Sequence, residues 1–190
     1  MKSSTLLITL VFGFLLLSLS STAQETIWFD SNWNLTVKEN AAYYRPSPKK
    51  MKNGFWLIDY YRNGTKQMEG FSFISSPNNE KFNGLVHYFF ENGKIFQSVN
   101  YKSGVIHGAR KIYFSSGALK SEAVYEDGKI IGSFSEFYTT GELKETGEYE
   151  EGKREEIWKT FYKNGKIQMK GKYREGEKVG VWKTFYKNVY

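Results

Sequence analysis

The sequence contains no cysteine, two histidines and three prolines among its 190 residues. Without cysteine no disulfide can form, so side-chain burial and strand pairing must hold the fold. His87 and His107 are expected to be solvated polar residues, and they offer little material for a Ser-His-Asp triad. Neither a metal-binding spacing nor a glycine-rich phosphate motif occurs. We therefore expect a protein that is not an enzyme and that binds no metal or cofactor.

The first 23 residues have the layout of a secretory signal peptide. Lys2 precedes an apolar stretch from Leu6 to Leu19, and small residues lead up to Ala23. The stretch is shorter than the roughly 20 apolar residues that a membrane-spanning helix needs. The sequence therefore predicts cleavage after Ala23 and an exported protein that is periplasmic, outer-membrane-associated or secreted, and not transmembrane.

A 24-residue period organises the rest of the chain. The segment WKTFYKN occurs at residues 158–164 and again at 182–188, and units of 24 residues can be aligned from positions 84, 108, 132, 156 and 180. A fixed period of this size is typical of repeat architectures. Two units depart from the pattern, because Glu156 replaces the opening glycine and Arg110 replaces an aromatic residue.

Each unit carries two turn signals, such as Asn164-Gly165 and Glu175-Gly176. Asn-Gly and Asp-Gly between aromatic runs favour type I′ hairpin turns, and Tyr, Phe and Trp favour strands. Every unit is therefore predicted to be strand, turn, strand, turn. The predicted fold is all-β: an elongated, single-layer antiparallel sheet of stacked 24-residue β-hairpin repeats.

Two-residue loops at both turns predict one apolar face. They place Tyr162 opposite Ile167 and Tyr138 opposite Leu143, and they set Trp158 and Phe134 over the cross-strand glycines Gly171 and Gly147. Across the second turn they pair Tyr173 with Lys178, Gly171 with Gly180, and Met169 with Trp182. A three-residue first turn would bring Lys159 and Lys163 to the apolar face, so the prediction is against it.

The predicted organisation has four parts. They are a signal peptide at 1–23, an N-terminal lead-in or cap at 24–53, a degenerate first repeat with an inserted loop at 54–83, and four repeats plus a terminal half repeat at 84–190. The last strand, from Gly180 to Lys187, is predicted to present a free edge that a partner strand could extend.

The unit resembles the MORN-repeat variant found in YwqK-family proteins, which are named as antitoxins of toxin–antitoxin systems. The residues that carry the resemblance are Gly180-Val181-Trp182 with Phe185-Tyr186-Lys187-Asn188, and the matching positions of unit 156–179. The stretch from Trp28 to Arg45 resembles the lead-in of exported Bacteroidetes proteins of this type. The resemblance implies a repeat scaffold that binds another protein, and a toxin or envelope protein would be such a partner.

The second face of the predicted sheet carries the candidate partner-binding residues. They are a ladder of rings with flanking lysines: Phe89, Tyr113, Phe137, Phe161 and Phe185, with Lys111, Lys159, Lys163, Lys183 and Lys187. Lysine stems could instead cover the rings, leaving the ladder only to stiffen the sheet. If the face binds a ligand, that ligand is a protein or, alternatively, a cell-envelope glycan or lipid headgroup.

Nucleic acid is not an expected partner, although the net charge is +7. Unit 132–155 has seven acidic and three basic residues, whereas unit 156–179 has three acidic and seven basic residues. Neighbouring repeats of opposite charge attract each other, and no continuous basic stripe is left to follow a phosphate backbone.

Overall fold

The computed structural model describes residues 25–186, and the predicted signal peptide and Lys187 lie outside this range. Within it, 14 strands form one antiparallel sheet, and the only helical element is a 3-10 turn at Lys38–Asn40. The strands are β1 (Ile27–Phe29), β2 (Tyr43–Arg45), β3 (Lys49–Met51), β4 (Gly54–Tyr61), β5 (Lys66–Ser72), β6 (Gly84–Phe89), β7 (Ile95–Lys102), β8 (Val105–Tyr113), β9 (Leu119–Glu126), β10 (Lys129–Phe137), β11 (Leu143–Glu150), β12 (Lys153–Phe161), β13 (Ile167–Arg174) and β14 (Glu177–Thr184).

The strands follow one another in chain order across the sheet. β1 pairs with β2, β2 pairs with β4, and from β4 to β14 each strand pairs with the next. β3 also pairs with β4 but is not part of this continuous order. At about 4.8 Å between neighbouring strands, the sheet extends for roughly 60 Å. The predicted all-β fold of stacked hairpins in a single layer is confirmed.

The first turn of each repeat is a three-residue loop, contrary to the prediction. In unit 156–179 the Gly165 amide donates to the Tyr162 carbonyl at 2.9 Å, and the Tyr162 amide donates to the Lys166 carbonyl at 2.9 Å. Gly165 has φ +78°, whereas Asn164 has a negative φ, so the turn is not type I′. The predicted pairings of Tyr162 with Ile167 and Tyr138 with Leu143 are therefore wrong.

A β-bulge next to this turn restores the register. Phe161 pairs with Ile167 and Thr160 with Met169, so Gln168 is the extra residue. Beyond the bulge Trp158 pairs with Gly171, and in the preceding unit Phe134 pairs with Gly147, both as predicted. Because the bulge cancels the longer loop, Lys159 still points away from the face of Trp158. The prediction against a three-residue turn is wrong because the bulge compensates for the extra loop residue.

The second turn is a type I′ turn, as predicted, because both central residues have a positive φ. In the last complete repeat these are Glu175 at +52° and Gly176 at +86°. Tyr173 pairs with Lys178, which confirms the register next to the turn. Farther along, Lys170 pairs with Lys183 and Met169 with Thr184, so the register has shifted by two residues. The predicted pairs Gly171–Gly180 and Met169–Trp182 are wrong.

The opening residue of the repeat lies at this shift and adopts a left-handed conformation. Gly180 has φ +64° and Gly132 has φ +61°, and Glu156 adopts φ +56° at the same position. Glycine reaches this conformation without steric cost, whereas a residue with a Cβ is strained there. The repeat therefore keeps its backbone geometry at Glu156, and the strained glutamate takes the place of glycine.

The resulting sheet has two faces, which we name by their residues. The tryptophan face carries Phe134, Tyr149, Trp158, Tyr173 and Trp182, whose rings contact one another at centroid distances of 5.0–5.9 Å. The ladder face lies on the other side and carries Lys159 and Phe161. Each of these two tryptophans covers a glycine of the preceding strand, so the predicted placement of Trp158 over Gly171 and of Phe134 over Gly147 is wrong, although the strand pairing is right. A Cβ on Gly147 would overlap the Trp158 ring, and one on Gly171 would overlap the Trp182 ring.

Candidate binding surface

The predicted ladder rings occupy equivalent positions in successive hairpins. Phe89, Tyr113, Phe137 and Phe161 each close a first strand and pair with the aliphatic residue that opens the next, as Phe161 does with Ile167. These four are half-buried, and Phe185 is 41% exposed. The ladder is therefore a regular row of rings, one for each repeat, whose outer edges remain open to solvent.

Tyrosine hydroxyls hold the backbone of the ladder in place. The hydroxyl of Tyr138 donates to the Phe161 carbonyl at 2.7 Å, and that of Tyr162 donates to the Phe185 carbonyl at 2.8 Å. Tyr61 makes the same bond to Phe89 at 2.7 Å. Each bond joins one repeat to the next at three of the five rings; Phe90 and Phe114, which have no hydroxyl, occupy the donor positions for Tyr113 and Phe137.

The predicted lysines do not form one set. Lys111 pairs with Glu122 at 3.3 Å, and the Lys163 ammonium lies 5.7 Å from the centre of the Tyr138 ring. Lys159 and Lys183 are exposed on the ladder face, and Lys187 lies outside the described residues. Two other lysines lie beside the ladder, because the Lys66 ammonium is 5.4 Å from the centre of the Phe89 ring and the Lys170 ammonium is 5.8 Å from the centre of the Phe185 ring.

A lysine row that the sequence reasoning missed crosses the ladder face. Lys159 pairs with Lys170 across β12 and β13, and Lys170 pairs with Lys183 across β13 and β14. We call these three residues the lysine row. The predicted register placed Val181 opposite Lys170, two positions before Lys183 in the chain. The signal that could have revealed the row is the opening glycine, whose left-handed conformation produces the two-residue shift.

Comparison with known families identifies the repeat. Residues 82–103, 106–127, 130–151 and 157–175 match the family described as the MORN repeat variant. The first three matches begin 24 residues apart, which is the period of the hairpins. These four segments are thus similar to the MORN repeat variant, and together they cover less than half of the chain. A comparison with curated proteins finds no match. MORN repeats are generally scaffolds for protein or membrane interaction, and their all-β sheet is not a known enzyme fold.

The MORN-variant repeats bury one tryptophan especially well. Trp158 is 1% exposed, and its indole N–H donates to the carbonyls of Glu148 and Glu155, both at 3.1 Å. The Arg154 guanidinium lies 3.9 Å from the centre of this ring and pairs with Glu145 at 3.0 Å. These contacts satisfy the indole N–H of Trp158 and cover its ring, so the tryptophan face is the structural one.

An ionic cluster lies at the other end of the sheet, before the MORN-variant repeats. Arg45 and Asp59 are 2% and 1% exposed, and the guanidinium donates to the carboxylate at 2.6 and 2.8 Å and to Glu80 at 2.6 Å. Burial raises the pKa of Asp59 above its ordinary value, and it raises that of Tyr88 nearby as well. The cluster joins β2, β4 and the loop before β6, as a structural clamp would.

Neither histidine joins a catalytic arrangement. His87 Nδ1 lies 2.9 Å from the Ser98 hydroxyl, and His107 Nδ1 lies 3.3 Å from the exposed carboxylate of Asp127. Among residues 25–186 no group of three or more His, Asp or Glu side chains is arranged to hold a metal ion. None of the helical structure within that range is long and apolar enough to cross a membrane.

Proposed function

We propose that the chain is an exported, non-enzymatic scaffold that binds another protein through the aromatic ladder. The observation that carries this proposal is the row of five rings at one position of four successive hairpins and the terminal half repeat, on the face opposite the structural tryptophans. A long aromatic surface of this kind is typical of an interaction site. Export rests on the signal-peptide layout of residues 1–23, which would place the protein in the periplasm, at the outer membrane or outside the cell.

The resemblance to YwqK-family antitoxins from the Bacteroidetes supports a finer proposal, in which the bound protein is a toxin or an envelope protein. The ladder is suited to such a partner because its rings are fixed in advance by the sheet and its tyrosine bonds. A rigid surface loses little conformational entropy when it binds.

A cell-envelope glycan or lipid headgroup is the second candidate ligand. It is favoured by the ammonium groups of Lys66 and Lys170, which lie beside the Phe89 and Phe185 rings. Rings bordered by cations can contact a sugar face or an anionic headgroup together. This candidate would make the chain an envelope-binding module instead of a protein scaffold.

The proposal predicts that Phe161→Ala with Phe185→Ala reduces partner binding by about tenfold or more, a loss of at least 1.4 kcal/mol. The rings are partly exposed, so the melting temperature should change little. Binding is measured by saturable retention of the chain on envelope protein extract and, separately, on purified cell-wall glycan.

A matched control replaces Phe73 and Phe96, which are 40% and 39% exposed and lie off the ladder. This control should retain full binding. Retention on glycan alone would favour the second candidate. If the ladder variant melts at a much lower temperature than the control, the ladder stabilises the sheet and the proposal is wrong.

A further inference from the structure

Two grooves on the ladder face occupy equivalent places in the repeat array. Each is lined by seven residues, and every residue of the second groove lies 48 positions, or two repeats, after its counterpart in the first. The first groove, of about 230 Å³, lies over β8–β10, and the second, of about 410 Å³, lies over β12–β14. The shared backbone allows their side chains to be compared position by position.

The two grooves differ mainly in charge. The first contains Lys111 and Glu122, which pair with each other. At the matching positions the second contains Lys159 and Lys170, and two further lysines replace uncharged residues, with Lys172 in place of Val124 and Lys183 in place of Ser135. The first groove is thus neutral, whereas the second has four cations.

The lysine row lacks intramolecular counter-charges. Within residues 25–186 only Lys172 of the four is in an ion pair, with Glu156 at 3.0 Å, and no carboxylate forms an ion pair with Lys159, Lys170 or Lys183. Like charges directly opposite each other destabilise a sheet. The protein therefore holds three cations in adjacent strands, about 4.8 Å apart, at a cost in stability that an anionic ligand would remove.

A narrow ligand fits this charge distribution better than a broad anionic surface does. Glu148 and Glu155 pair directly across β11 and β12. They alternate with Tyr149 and Arg154, whose side chains contact Trp158, so the two carboxylates point to the ladder face. A bilayer or a polyanion covering β11–β14 would meet these carboxylates beside the lysines. A ligand confined to the second groove would not.

Aliphatic side chains define the other side of the groove. Ile157 is 56% exposed and Val181 is 78% exposed, and both lie two residues before a member of the lysine row. Lys172 pairs with Ile157 across β12 and β13 and forms its ion pair with Glu156, so it lies on this side as well. A ligand in the groove therefore meets the lysine row on one side, and on the other side it meets aliphatic groups beside a lysine that is already paired with Glu156.

An extended polypeptide matches this pattern, because its successive side chains project to opposite sides. We propose that the second groove binds an extended acidic segment of a partner polypeptide, with carboxylates towards the lysine row and apolar side chains towards Ile157 and Val181. This inference rests on the proposed protein-binding function and defines the chemistry of the partner.

The test is a titration of the full chain with a short, capped peptide of alternating glutamate and valine. We expect saturable binding that weakens with added salt, and binding at least about tenfold weaker for the same peptide with glutamine in place of glutamate. The triple variant Lys159→Gln, Lys170→Gln, Lys183→Gln should lose about tenfold or more in affinity for the glutamate peptide. Its melting temperature should not fall, because three like charges have been removed.

Lys111→Gln is the matched control, since it changes the equivalent position of the neutral groove, and it should leave the affinity unchanged. Equal binding of both peptides, or full binding by the triple variant, would overturn the inference. So would binding only to anionic vesicles, to single-stranded DNA, or to a second copy of the chain in a dimer that the triple substitution dissociates.

The result of this peptide titration can be distinguished from the result of the test of the proposed function. If the peptide binds as expected and no envelope protein is captured, the proposed exported scaffold is wrong and the peptide groove remains. If envelope protein is captured equally well by the wild type and the triple variant, the lysine row is not its binding site and the proposed function remains.

Discussion

Replacing Trp158 with alanine is expected to lower the free energy of unfolding by about 3–5 kcal/mol. A single-layer sheet has no second layer to cover its apolar face, so each large ring depends on its neighbours for burial. Trp158 is the largest fully buried side chain, and it stacks on Phe134 while contacting the edges of Tyr149 and Tyr173. Its removal would leave a cavity over Gly147 and expose rings of three strands.

Trp182→Ala is the matched control for this prediction. Trp182 covers Gly171 as Trp158 covers Gly147, but it is more exposed and its indole N–H has no hydrogen-bond partner within residues 25–186. Trp182→Ala should therefore lower the free energy of unfolding by clearly less than Trp158→Ala does. Urea denaturation followed by circular dichroism measures both variants, and equal costs would show that Trp158 is not the centre of the tryptophan face.

Breaking the buried ion pair between Arg45 and Asp59 should also destabilise the protein strongly. Arg45→Met is expected to cost about 3–5 kcal/mol, because it leaves the Asp59 carboxylate buried beside Glu80 without a cation. The double variant Arg45→Met, Asp59→Leu removes the more deeply buried of the two carboxylates and should recover part of this loss, since the remaining Glu80 is closer to solvent.

Lys129→Met provides the comparison with an exposed ion pair. Lys129 and Glu151 lie 2.5 Å apart with side chains 60% and 69% exposed, and such pairs contribute about 0–1 kcal/mol. The midpoint of chemical denaturation, measured for Arg45→Met and for Lys129→Met, distinguishes the buried pair from the exposed one. If Arg45→Met destabilises no more than Lys129→Met, the buried cluster does not clamp β2 and β4 to the loop before β6.

The sequence was sufficient for the fold because its turn residues and rings repeat at a fixed period. The type I′ turn at Glu175-Gly176 and the pairing of Trp158 with Gly171 both follow from that period. The first turn was predicted wrongly, yet the faces came out correctly, because the longer loop and the bulge at Gln168 cancel. Two compensating irregularities leave no trace in the hydrophobic pattern.

The lysine row and the ionic cluster were not predictable in the same way. The row depends on a two-residue shift produced by a left-handed residue, and the strained Glu156 shows that this conformation does not even require glycine. Arg45 and Asp59 lie in short strands of the non-repeating part of the chain, where no period fixes which residues pair. Their contact arises from tertiary packing, which local patterns do not encode.

The most direct test of the account compares two deletions by hydrogen–deuterium exchange of residues 180–184, the part of β14 that both deletions retain. Deleting residues 156–179 removes one complete repeat, so it should place Trp182 over Gly147 and Gly180 in the slot of Glu156. Deleting residues 156–167 instead puts Lys170 in the slot of Trp158 and moves the next turn glycine one position too early.

We expect the strand to stay protected in the first deletion, in a shorter β protein with a lower melting temperature. In the second deletion it should exchange freely, because it can no longer pair in register. Equal protection of this strand in the two proteins would contradict the 24-residue hairpin repeat.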